Sequence, residues 1–326
     1  MLVLMAKISI LVLADADDPQ LKMLEDLRPI ADVVIGDSVA DFAVALLNAR
    51  VVFHWSAPAG LLRELVKRCP KLEWVHSRSA GLEKTLFREL VESSIRVTNG
   101  SGVFSQSLGE FVLAAILYFA KDFRRMIRSQ TASKWDPFDI TMISGCTVGI
   151  VGYGDIGRAI ASRLRPMGMR ILALKRHVSA SAKDPLVDQV YPPARRVEML
   201  SLCDYIALAA PLTPETQGML GDAEFAAMKP NAVVINVGRG PVIDEKTLVK
   251  ALSSGRIRGA ALDVFDHEPL PPGHAFYQLE NVLLSPHCAD HTPDWLDDAM
   301  KFFIEQVNRL HRGEALKNVV DKKLGY

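Results

Sequence analysis

Residues 147–157, TVGIVGYGDIG, decide the fold. The first five are mostly β-branched and apolar, which indicates a buried strand. The last six form a G-x-G-x-x-G loop, and apolar residues recur at helical spacing after it. A lone G-x-G-x-x-G is a weak signal. Between a strand and a helix, however, it is typical of a dinucleotide-binding unit.

Each glycine of this loop has a physical role in such a unit. Gly152 permits the tight turn, Gly154 lets the backbone approach a pyrophosphate, and Gly157 lets the helix pack on the strand. The helix N-terminus offers N–H donors and the positive end of its dipole to phosphates. The alternative is a glycine turn that binds no ligand. The residues predicted to bind the dinucleotide here are Gly152, Tyr153, Gly154, Asp155, Ile156 and Gly157.

Two basic residues, Lys175 and Arg176, end the next predicted strand. Lys175 lies where an Asp or Glu normally accepts from the ribose 2′-hydroxyl of NAD. A cation cannot accept that bond, but it can pair with a 2′-phosphate, and Arg adds a bidentate fork. We therefore predict that NADP(H) is preferred, with NAD(H) as a possible cofactor. The alternative is two exposed cations with no role in cofactor binding.

Short apolar runs alternate with helical patterns on both sides of this unit. The alternation predicts two parallel sheets with crossover helices. The predicted strands are 8–13, 33–35, 51–55, 72–76 and 96–98, then 147–151, 170–174, 205–209, 232–237, 260–264 and 282–285. The helices predicted in the first part are 19–27, 41–49 and 58–68.

A long helix is predicted to link the two parts. Ser107 and Glu110 form an S-x-x-E capping box, followed by apolar residues at helical spacing. The tail, 294–310, is also helical in pattern and is expected to pack back on the first part. The predicted fold is α/β with two Rossmann-like domains. A dinucleotide-binding domain, 106–292, is inserted in a discontinuous flavodoxin-like substrate domain, 1–105 and 293–326.

Composition excludes several classes of protein. The 326 residues suit about two domains of roughly 150 residues. Lys plus Arg and Asp plus Glu balance at 38 each, which gives no reason to expect nucleic acid or a membrane surface as a partner. The apolar run 1–13 is interrupted by Lys7, so we predict a buried strand rather than a signal peptide. No other stretch reaches the ~20 apolar residues that a membrane span requires.

The cysteines point to a reducing compartment, and hence to the cytoplasm. They are far apart and form no C-x-x-C pair, which argues against a structural zinc site and a disulfide framework. No other residues have metal-ligand spacing, so we predict no metal. The four are Cys69, Cys146, Cys203 and Cys288.

Reactive residue types follow three later strands. Arg239 follows 232–237, Glu268 lies beyond 260–264, and His287 follows 282–285. Ligands bind outside the carboxyl ends of strands in open α/β sheets, so the three could converge. Taken alone, a residue of any of these types is most often exposed to water or hydrogen-bonded within the protein, without a catalytic role.

Together the three suit hydride transfer between a nicotinamide and a 2-keto acid. The imidazole of His287 can give a proton near neutral pH, and Glu268 can stabilise the imidazolium. The guanidinium of Arg239 can pair with a carboxylate and polarise a carbonyl.

Five motifs stand in order along the chain. They are 147–157, 211–216 (PLTPET), 236–240 (NVGRG), 261–270 (ALDVFDHEPL) and 285–287 (SPH). As an ordered set they resemble the D-isomer-specific 2-hydroxyacid dehydrogenases over nearly the whole chain. The resemblance implies an NAD(P)-dependent enzyme that interconverts small 2-keto acids and D-2-hydroxy acids. Glyoxylate or hydroxypyruvate is the first expectation, by analogy alone.

The resemblance also implies roles for single residues. Arg239, Glu268 and His287 would be the catalytic trio. Asp263 and Val237 would lie at the nicotinamide end, and Pro211 and Thr216 would line the cofactor cleft. The residues implied to bind the substrate carboxylate are Ser79, Ala80 and Gly81, through backbone N–H groups, together with Arg239. Family members are usually homodimers, with the long helix near Ser107 at the interface.

The chain departs from the family pattern at several positions. Lys175 replaces the usual acidic residue, Asp155 stands where many relatives carry Arg, and CADH at 288–291 replaces a small, Gly-containing stretch. Formate dehydrogenases are similar but carry Gln in place of Glu268, which favours 2-hydroxy acids over formate. The residues whose roles stay open, between reshaping the pocket and simple packing, are His54, Trp55, His291 and Trp295.

Two alternatives remain. The C-terminal-binding-protein corepressors resemble this family and keep a similar trio, so the chain could be an NAD(P)H-sensing interaction protein without physiological turnover. It could also be a hydrolase or lyase that holds NAD tightly and uses it internally. Turnover of 2-keto acids with NAD(P)H would distinguish the dehydrogenase from both.

Overall fold

Two structural units make up the chain. The computed structural model describes residues 7–178 and 183–326, so the first six residues of the predicted N-terminal apolar run lie outside the described part. Unit 1 comprises Met1–Val103 and Thr292–Tyr326, and unit 2 comprises Phe104–His291. Within the described ranges, every helix falls short of the apolar length that a membrane crossing needs.

Each unit is built on one parallel sheet. The five-stranded sheet of unit 1 has the order β2-β1-β3-β4-β5, and the seven-stranded sheet of unit 2 has the order β12-β11-β10-β9-β6-β7-β8. The strands are β1 Ile8–Leu13, β2 Ala31–Gly36, β3 Val51–His54, β4 Trp74–Ser77, β5 Arg96–Thr98, β6 Thr147–Val151, β7 Arg170–Leu174, β8 Gln189–Tyr191, β9 Tyr205–Leu208, β10 Val233–Asn236, β11 Gly259–Leu262 and β12 Val282–Leu284. The first order is that of flavodoxin-like sheets and the second extends the Rossmann order, which confirms the predicted fold class.

Nine α-helices connect or follow the described strands. They are α1 Ala59–Arg68, α2 Arg88–Glu92, α3 Ser105–Ala120, α4 Phe123–Thr131, α5 Asp155–Leu164, α6 Arg196–Ser201, α7 Asp222–Ala227, α8 Glu245–Ser253 and α9 Trp295–His311. Helices α1, α2 and α9 belong to unit 1, and the others belong to unit 2.

Two helices predicted in unit 1 are wrong in type or extent. The segment Pro19–Leu27 is a 3-10 helix, and the predicted helix 41–49 is only a 3-10 turn, Ala40–Phe42, followed by other turns. The Asp41 carboxylate accepts from the backbone N–H and the hydroxyl of Ser38, at 3.0 and 2.7 Å. Such local bonds compete with a helical backbone. In addition, Val44 is 97% exposed, so the apolar pattern does not form a buried face.

The predicted capping box is also wrong. Helix α3 begins at Ser105, so Ser107 lies inside its first turn and donates to the carbonyl of Ala289 at 2.6 Å. Glu110 pairs instead with Arg163 of α5, at 3.1 Å. These longer-range contacts override the local motif.

Among the described strands of unit 2, one was not predicted from the sequence pattern. Strand β8 has three residues at the edge of the sheet and pairs only with β7. A three-residue edge strand containing a Gln shows neither alternation nor a continuous apolar run. Strands β6 and β7 match their predicted limits, and the others of unit 2 match within two residues.

Candidate active site

The glycine loop that joins β6 to α5 is closely packed against neighbouring backbone. Gly152 has φ +92°, and a Cβ there would lie 2.6 Å from the backbone of Ala210. A Cβ on Gly157 would collide with the carbonyl oxygen of Gly152, whereas one on Gly154 would meet nothing within 4 Å. Packing therefore requires two of the glycines, and the third leaves open space at the start of α5. This arrangement fits a dinucleotide pyrophosphate.

Backbone donors face that space. No described residue accepts from the backbone N–H of Gly154 or Ile156. Tyr153 is buried, and its hydroxyl donates to Asp184 at 3.2 Å, which also accepts from Arg158 Nε at 2.9 Å. Burial raises the pKa of Tyr153, so the hydroxyl stays a donor. Tyr153 thus anchors the loop through its hydrogen bond to Asp184, and its predicted contact with the dinucleotide stays a prediction.

Of the two basic residues, Arg176 lies beside the segment 211–216. Lys175 follows β7, and Nη2 of Arg176 lies 3.4 Å from a carboxylate oxygen of Glu215. The hydroxyl of Thr213 donates to Glu215 at 2.9 Å and is the main cause that lowers the pKa of Glu215. The hydroxyl of Thr216 donates to the carbonyl of Pro211 at 2.6 Å. The structure therefore brings the predicted cofactor residues Arg176, Pro211 and Thr216 to one turn.

His287 and Glu268 are joined directly. Nδ1 of His287 lies 2.6 Å from Oε2 of Glu268, and Oε1 of Glu268 accepts from the backbone N–H of Phe265 at 3.0 Å. Because a carboxylate only accepts, Nδ1 carries the hydrogen, and Nε2 is the nitrogen left for another partner. Both side chains are partly exposed, His287 at 43% and Glu268 at 36%.

Asp263 holds the segment that carries His287. It is 1% exposed, and one of its oxygens accepts from the Ser285 hydroxyl at 2.5 Å and from the N–H groups of Cys288 and Ala289 at 2.9 and 3.1 Å. His287 has φ +53°, a left-handed conformation that costs a non-glycine residue roughly 1–2 kcal/mol. The bonds to Asp263 on either side of His287 maintain it.

Arg239 follows β10 in a loop that Asn236 shapes. The Asn236 amide donates to the carbonyl of Arg239 at 3.0 Å and accepts from the N–H of Gly238 at 3.1 Å. A Cβ on Gly240 would collide with the backbone of Phe265, so the loops after β10 and β11 are in contact. Strands β10, β11 and β12 are neighbours in the sheet. The loops that carry the predicted trio therefore leave one edge of unit 2.

Residues 79–81 lie in unit 1, after β4. The amide of Asn99 donates to the carbonyl of Ala80 at 2.7 Å, and Gly100 donates to the carbonyl of Ser79 at 3.3 Å. None of the described residues accepts from the backbone N–H groups of Ser79, Ala80 or Gly81. Three successive donors thus remain for an anion.

The four residues whose roles the sequence left open are placed in three different ways. Trp55 and Trp295 both contact Arg78 of unit 1, whose guanidinium carbon lies 4.8 and 5.5 Å from their ring centroids. His291 is exposed in unit 2, with Nε2 3.8 Å from Asp290. His54 ends β3, and its Nε2 lies 2.7 Å from the carbonyl of Ala57.

Sequence reasoning missed Arg78, Asn236 and Ser285 as site residues. Asn236 and Ser285 are buried polar residues at the carboxyl ends of apolar strands, a signal that could have identified them. Arg78 has no such signal, because its two indole contacts come from distant parts of the chain. Among the described residues, no three His, Cys, Asp or Glu side chains gather as metal ligands.

Comparison with known families decides the relationship. The model described as "D-isomer specific 2-hydroxyacid dehydrogenase, NAD binding domain" matches residues 113–289, more than half of the chain. The chain belongs to this family. The resemblance predicted from the five motifs is thereby confirmed, together with an NAD-binding domain.

Relatives within the family carry several names. A D-3-phosphoglycerate dehydrogenase of Methanocaldococcus jannaschii is 30% identical over 96% of this chain, and this chain spans 59% of that relative. A glyoxylate/hydroxypyruvate reductase A of Arabidopsis thaliana is 36% identical over 73% of this chain and 74% of its own length. A crystal structure of a D-isomer specific 2-hydroxyacid dehydrogenase from Xanthobacter autotrophicus, in complex with NADPH and MES, has a TM-score of 0.85 and 28% identity. The two structures align over 98% of this chain and 100% of the Xanthobacter chain.

Proposed function

We propose that the chain is an NAD(P)H-dependent oxidoreductase that interconverts a small 2-keto acid and the corresponding D-2-hydroxy acid. Glyoxylate and hydroxypyruvate are the first candidates, as in the name of the Arabidopsis relative. The observation that carries the proposal is the 2.6 Å contact between Nδ1 of His287 and Glu268. In that pair one nitrogen is committed to a carboxylate, and the other is left to exchange a proton with a substrate oxygen.

In this proposal the two units bind different molecules. Unit 2 holds the dinucleotide through residues 152–157, Pro211 and Thr216, with Val237 and Asp263 at its nicotinamide end. The bound nicotinamide supplies the hydride. Unit 1 offers the N–H groups of residues 79–81 to the substrate carboxylate.

The catalytic trio then acts on the carbonyl. Nε2 of His287 gives its proton to the carbonyl oxygen as that oxygen gains charge. Glu268 orients the ring and stabilises the imidazolium that serves as the acid. Arg239 pairs with the carboxylate and polarises the carbonyl, a contribution that grows as charge develops on the oxygen.

The proposal is tested by a 2-keto acid panel. Glyoxylate, hydroxypyruvate, pyruvate and phenylpyruvate are each supplied with NADPH and with NADH. We expect turnover of at least one, and His287→Gln should lower kcat by about 10²–10⁴-fold. The dissociation constant of NADPH should stay within about twofold, because the substitution removes only the proton donor. Tight cofactor binding without turnover of any acid would favour the NAD(P)H-sensing alternative.

We also propose that NADP(H) is the preferred cofactor. Lys175 and Arg176 at the end of β7 support this, as does the NADPH in the Xanthobacter structure. Glu215 opposes it in part, because the 2′-phosphate must share or displace its ion pair with Arg176. Lys175→Asp should raise the ratio of kcat/KM for NADH to that for NADPH at least tenfold. An NADH preference that this substitution leaves unaltered would refute the assignment.

A cytoplasmic homodimer is the third part of the proposal. The wide spacing of the four cysteines along the chain supports a reducing compartment. Helix α4, directly after α3, buries none of its residues, and Ile127, Trp135 and Met142 are 59%, 95% and 71% exposed. Exposed apolar side chains in one segment are typical of an interface. Light scattering should give twice the chain mass, and the double variant Ile127→Glu/Trp135→Glu should give the chain mass.

A further inference from the structure

Arg78 occupies an unusual place in unit 1. Its guanidinium carbon lies 4.8 Å from the centroid of a Trp55 ring and 5.5 Å from that of a Trp295 ring. Contacts with two indole faces restrain the planar group and leave its N–H edge as the binding surface. Trp55 is buried at the end of the sheet, and Trp295 begins α9. Packing from two parts of unit 1 therefore fixes the orientation of this cation.

Among the described residues of unit 1, none is an anionic partner of the Arg78 guanidinium. No described group of that unit accepts a hydrogen bond from it, and no carboxylate lies within ion-pair distance. Asp18 acts on it through Coulombic attraction, without a hydrogen bond. The Asp18 carboxylate accepts instead from the Ser56 hydroxyl at 2.7 Å. Burial lowers the pKa of Arg78, which reflects the cost of a partly desolvated charge. An anionic ligand therefore stabilises a cation held in this way more strongly than it stabilises a cation in open water.

His54, whose carbonyl accepts from the Arg78 backbone N–H, does not compete with Arg78 for that anion. Its Nε2 lies 2.7 Å from the carbonyl of Ala57, so this nitrogen carries the hydrogen and donates. Burial lowers the pKa of His54, and the charge of Arg78 lowers it further. His54 is therefore neutral at pH 7, and Arg78 is the cation of this corner.

The position of Arg78 links it to the substrate. Arg78 follows β4 directly, and its backbone N–H donates to the carbonyl of His54 at 3.1 Å. The next three residues, 79–81, are those whose backbone N–H groups have no acceptor among the described residues. Ligands of parallel sheets bind at this carboxyl edge. If residues 79–81 hold one carboxylate of the substrate, the restrained guanidinium beside them is available for another anionic group.

We propose that Arg78 is a specificity-determining residue that binds a second anionic group on the substrate. The preferred 2-keto acids then carry a carboxylate or phosphate at the end of a short side chain, and their kcat/KM exceeds that of glyoxylate and hydroxypyruvate, the first candidates by analogy. This inference rests on the proposed function, because it names the substrate class of the same site. Trp55 and Trp295 are the positioning residues that keep the guanidinium directed to that group.

Matched substrates that differ by one charge test the inference. Oxaloacetate is compared with 2-oxosuccinamate, in which an amide replaces the distal carboxylate, and 2-oxoglutarate is compared with 2-oxopentanoate. In the wild type, kcat/KM should be at least tenfold higher for a dianion than for its neutral-tailed partner. Arg78→Gln should lower that ratio at least tenfold. Arg78→Lys, which keeps the charge but not the planar fork, should lower it less.

Arg63 offers a matched control. It also lies over an aromatic ring, that of Phe87 at 5.1 Å, but it pairs with Glu89 at 3.3 Å. Arg63→Gln should leave the ratio of dianion to neutral-tailed substrate unchanged. An equal ratio in the wild type and in Arg78→Gln would overturn the inference, and so would a wild type that prefers the neutral tail.

A binding measurement separates this inference from the proposed function. Inorganic phosphate should change the fluorescence of the tryptophans beside Arg78 in the wild type, and Arg78→Gln should abolish that change. If the wild type reduces no 2-keto acid, the proposed function fails, but a phosphate response that depends on Arg78 would still support an anion site. The same response in both proteins would overturn the site itself.

Discussion

At the scale of single residues, hydrogen bonds made by buried polar side chains fix the backbone segments that carry the exposed reactive side chains. Asp263 accepts three hydrogen bonds from uncharged groups, and these bonds hold the segment in which His287 adopts φ +53°. Asn236 does the same for the loop of Arg239. The chemistry-bearing side chains are therefore displayed by buried residues that need not meet the substrate. Loss of such a residue is expected to lower kcat through misplacement rather than through loss of a reacting group.

His76 provides a prediction about pH and stability. It is fully buried among aromatic rings, its Nδ1 lies 2.7 Å from the Thr98 hydroxyl, and burial lowers its pKa from 6.5 to about 3. Below pH 6.5, His76 therefore binds a proton in the unfolded chain but not in the folded chain. The contribution of His76 to stability is complete above pH 6.5 and is lost as the pH falls toward 3.

The measurement is the free energy of unfolding of the wild type and of His76→Gln at pH 7, 6 and 5. Below pH 6.5 the wild type should lose about 1.4 kcal/mol more per pH unit than the variant, because each unit of pKa shift corresponds to that free energy. Urea unfolding followed by fluorescence reports this part of the chain, since Trp74 donates to the same Thr98 hydroxyl. Parallel pH profiles for the two proteins would show that His76 accepts a proton in the folded state.

At the scale of elements, the loops after β10 and β11 depend on one glycine. A Cβ on Gly240 would collide with the backbone of Phe265, whose N–H donates to Glu268. Gly240→Ala should therefore separate the loop of Arg239 from that of Glu268. We expect a loss of about 1–3 kcal/mol in stability, as for other overpacked sites, and a fall in kcat/KM of at least tenfold.

Gly60 is the control for that substitution. It lies in α1, where an added Cβ would meet nothing within 4 Å. Gly60→Ala should be neutral or should stabilise the protein by up to about 1 kcal/mol, because Ala has the higher helix propensity. Kinetics and urea unfolding of both variants check the pair. If Gly240→Ala is as well tolerated as Gly60→Ala, the two loops are not held together by that contact.

The elements also show what the sequence could and could not predict. Strands β6 and β7 are buried apolar runs, so their limits could be predicted to the residue. The segment 41–49 and the Ser107 motif failed because side-chain bonds and contacts with distant residues replaced the local preference. The contact between His287 and Glu268 could be anticipated because each residue follows a predicted strand. Arg78 also follows a strand, but only the fold places the two indoles beside it.

At the scale of the whole molecule, each unit has a sheet and an apolar core of its own. One cluster of buried apolar residues lies wholly in unit 1, and another lies wholly in unit 2. The tryptophans are divided unequally between them. Trp55, Trp74 and Trp295 belong to unit 1 and are buried or partly buried, whereas Trp135 of unit 2 is 95% exposed. Tryptophan fluorescence is thus expected to report mainly the unfolding of unit 1.

This division predicts how the cofactor changes unfolding. NADP⁺ at about 100 times its dissociation constant should stabilise the unit that holds the glycine loop, Phe104–His291, by about 2.7 kcal/mol. For a unit of this size that corresponds to a rise in Tm of about 5–10 °C. The transition seen by far-UV circular dichroism should move by this amount, because it includes unit 2. The transition seen by tryptophan fluorescence should move less.

The comparison requires a control for ionic effects, so the same two transitions are followed with sodium chloride at equal ionic strength. Sodium chloride should leave both transitions nearly unchanged, because it makes none of the adenosine and nicotinamide contacts of the dinucleotide. Equal shifts of both signals with NADP⁺ would mean that the two units unfold as one. A fluorescence transition that rises more than the far-UV one would place the cofactor on unit 1, against the assignment of the glycine loop.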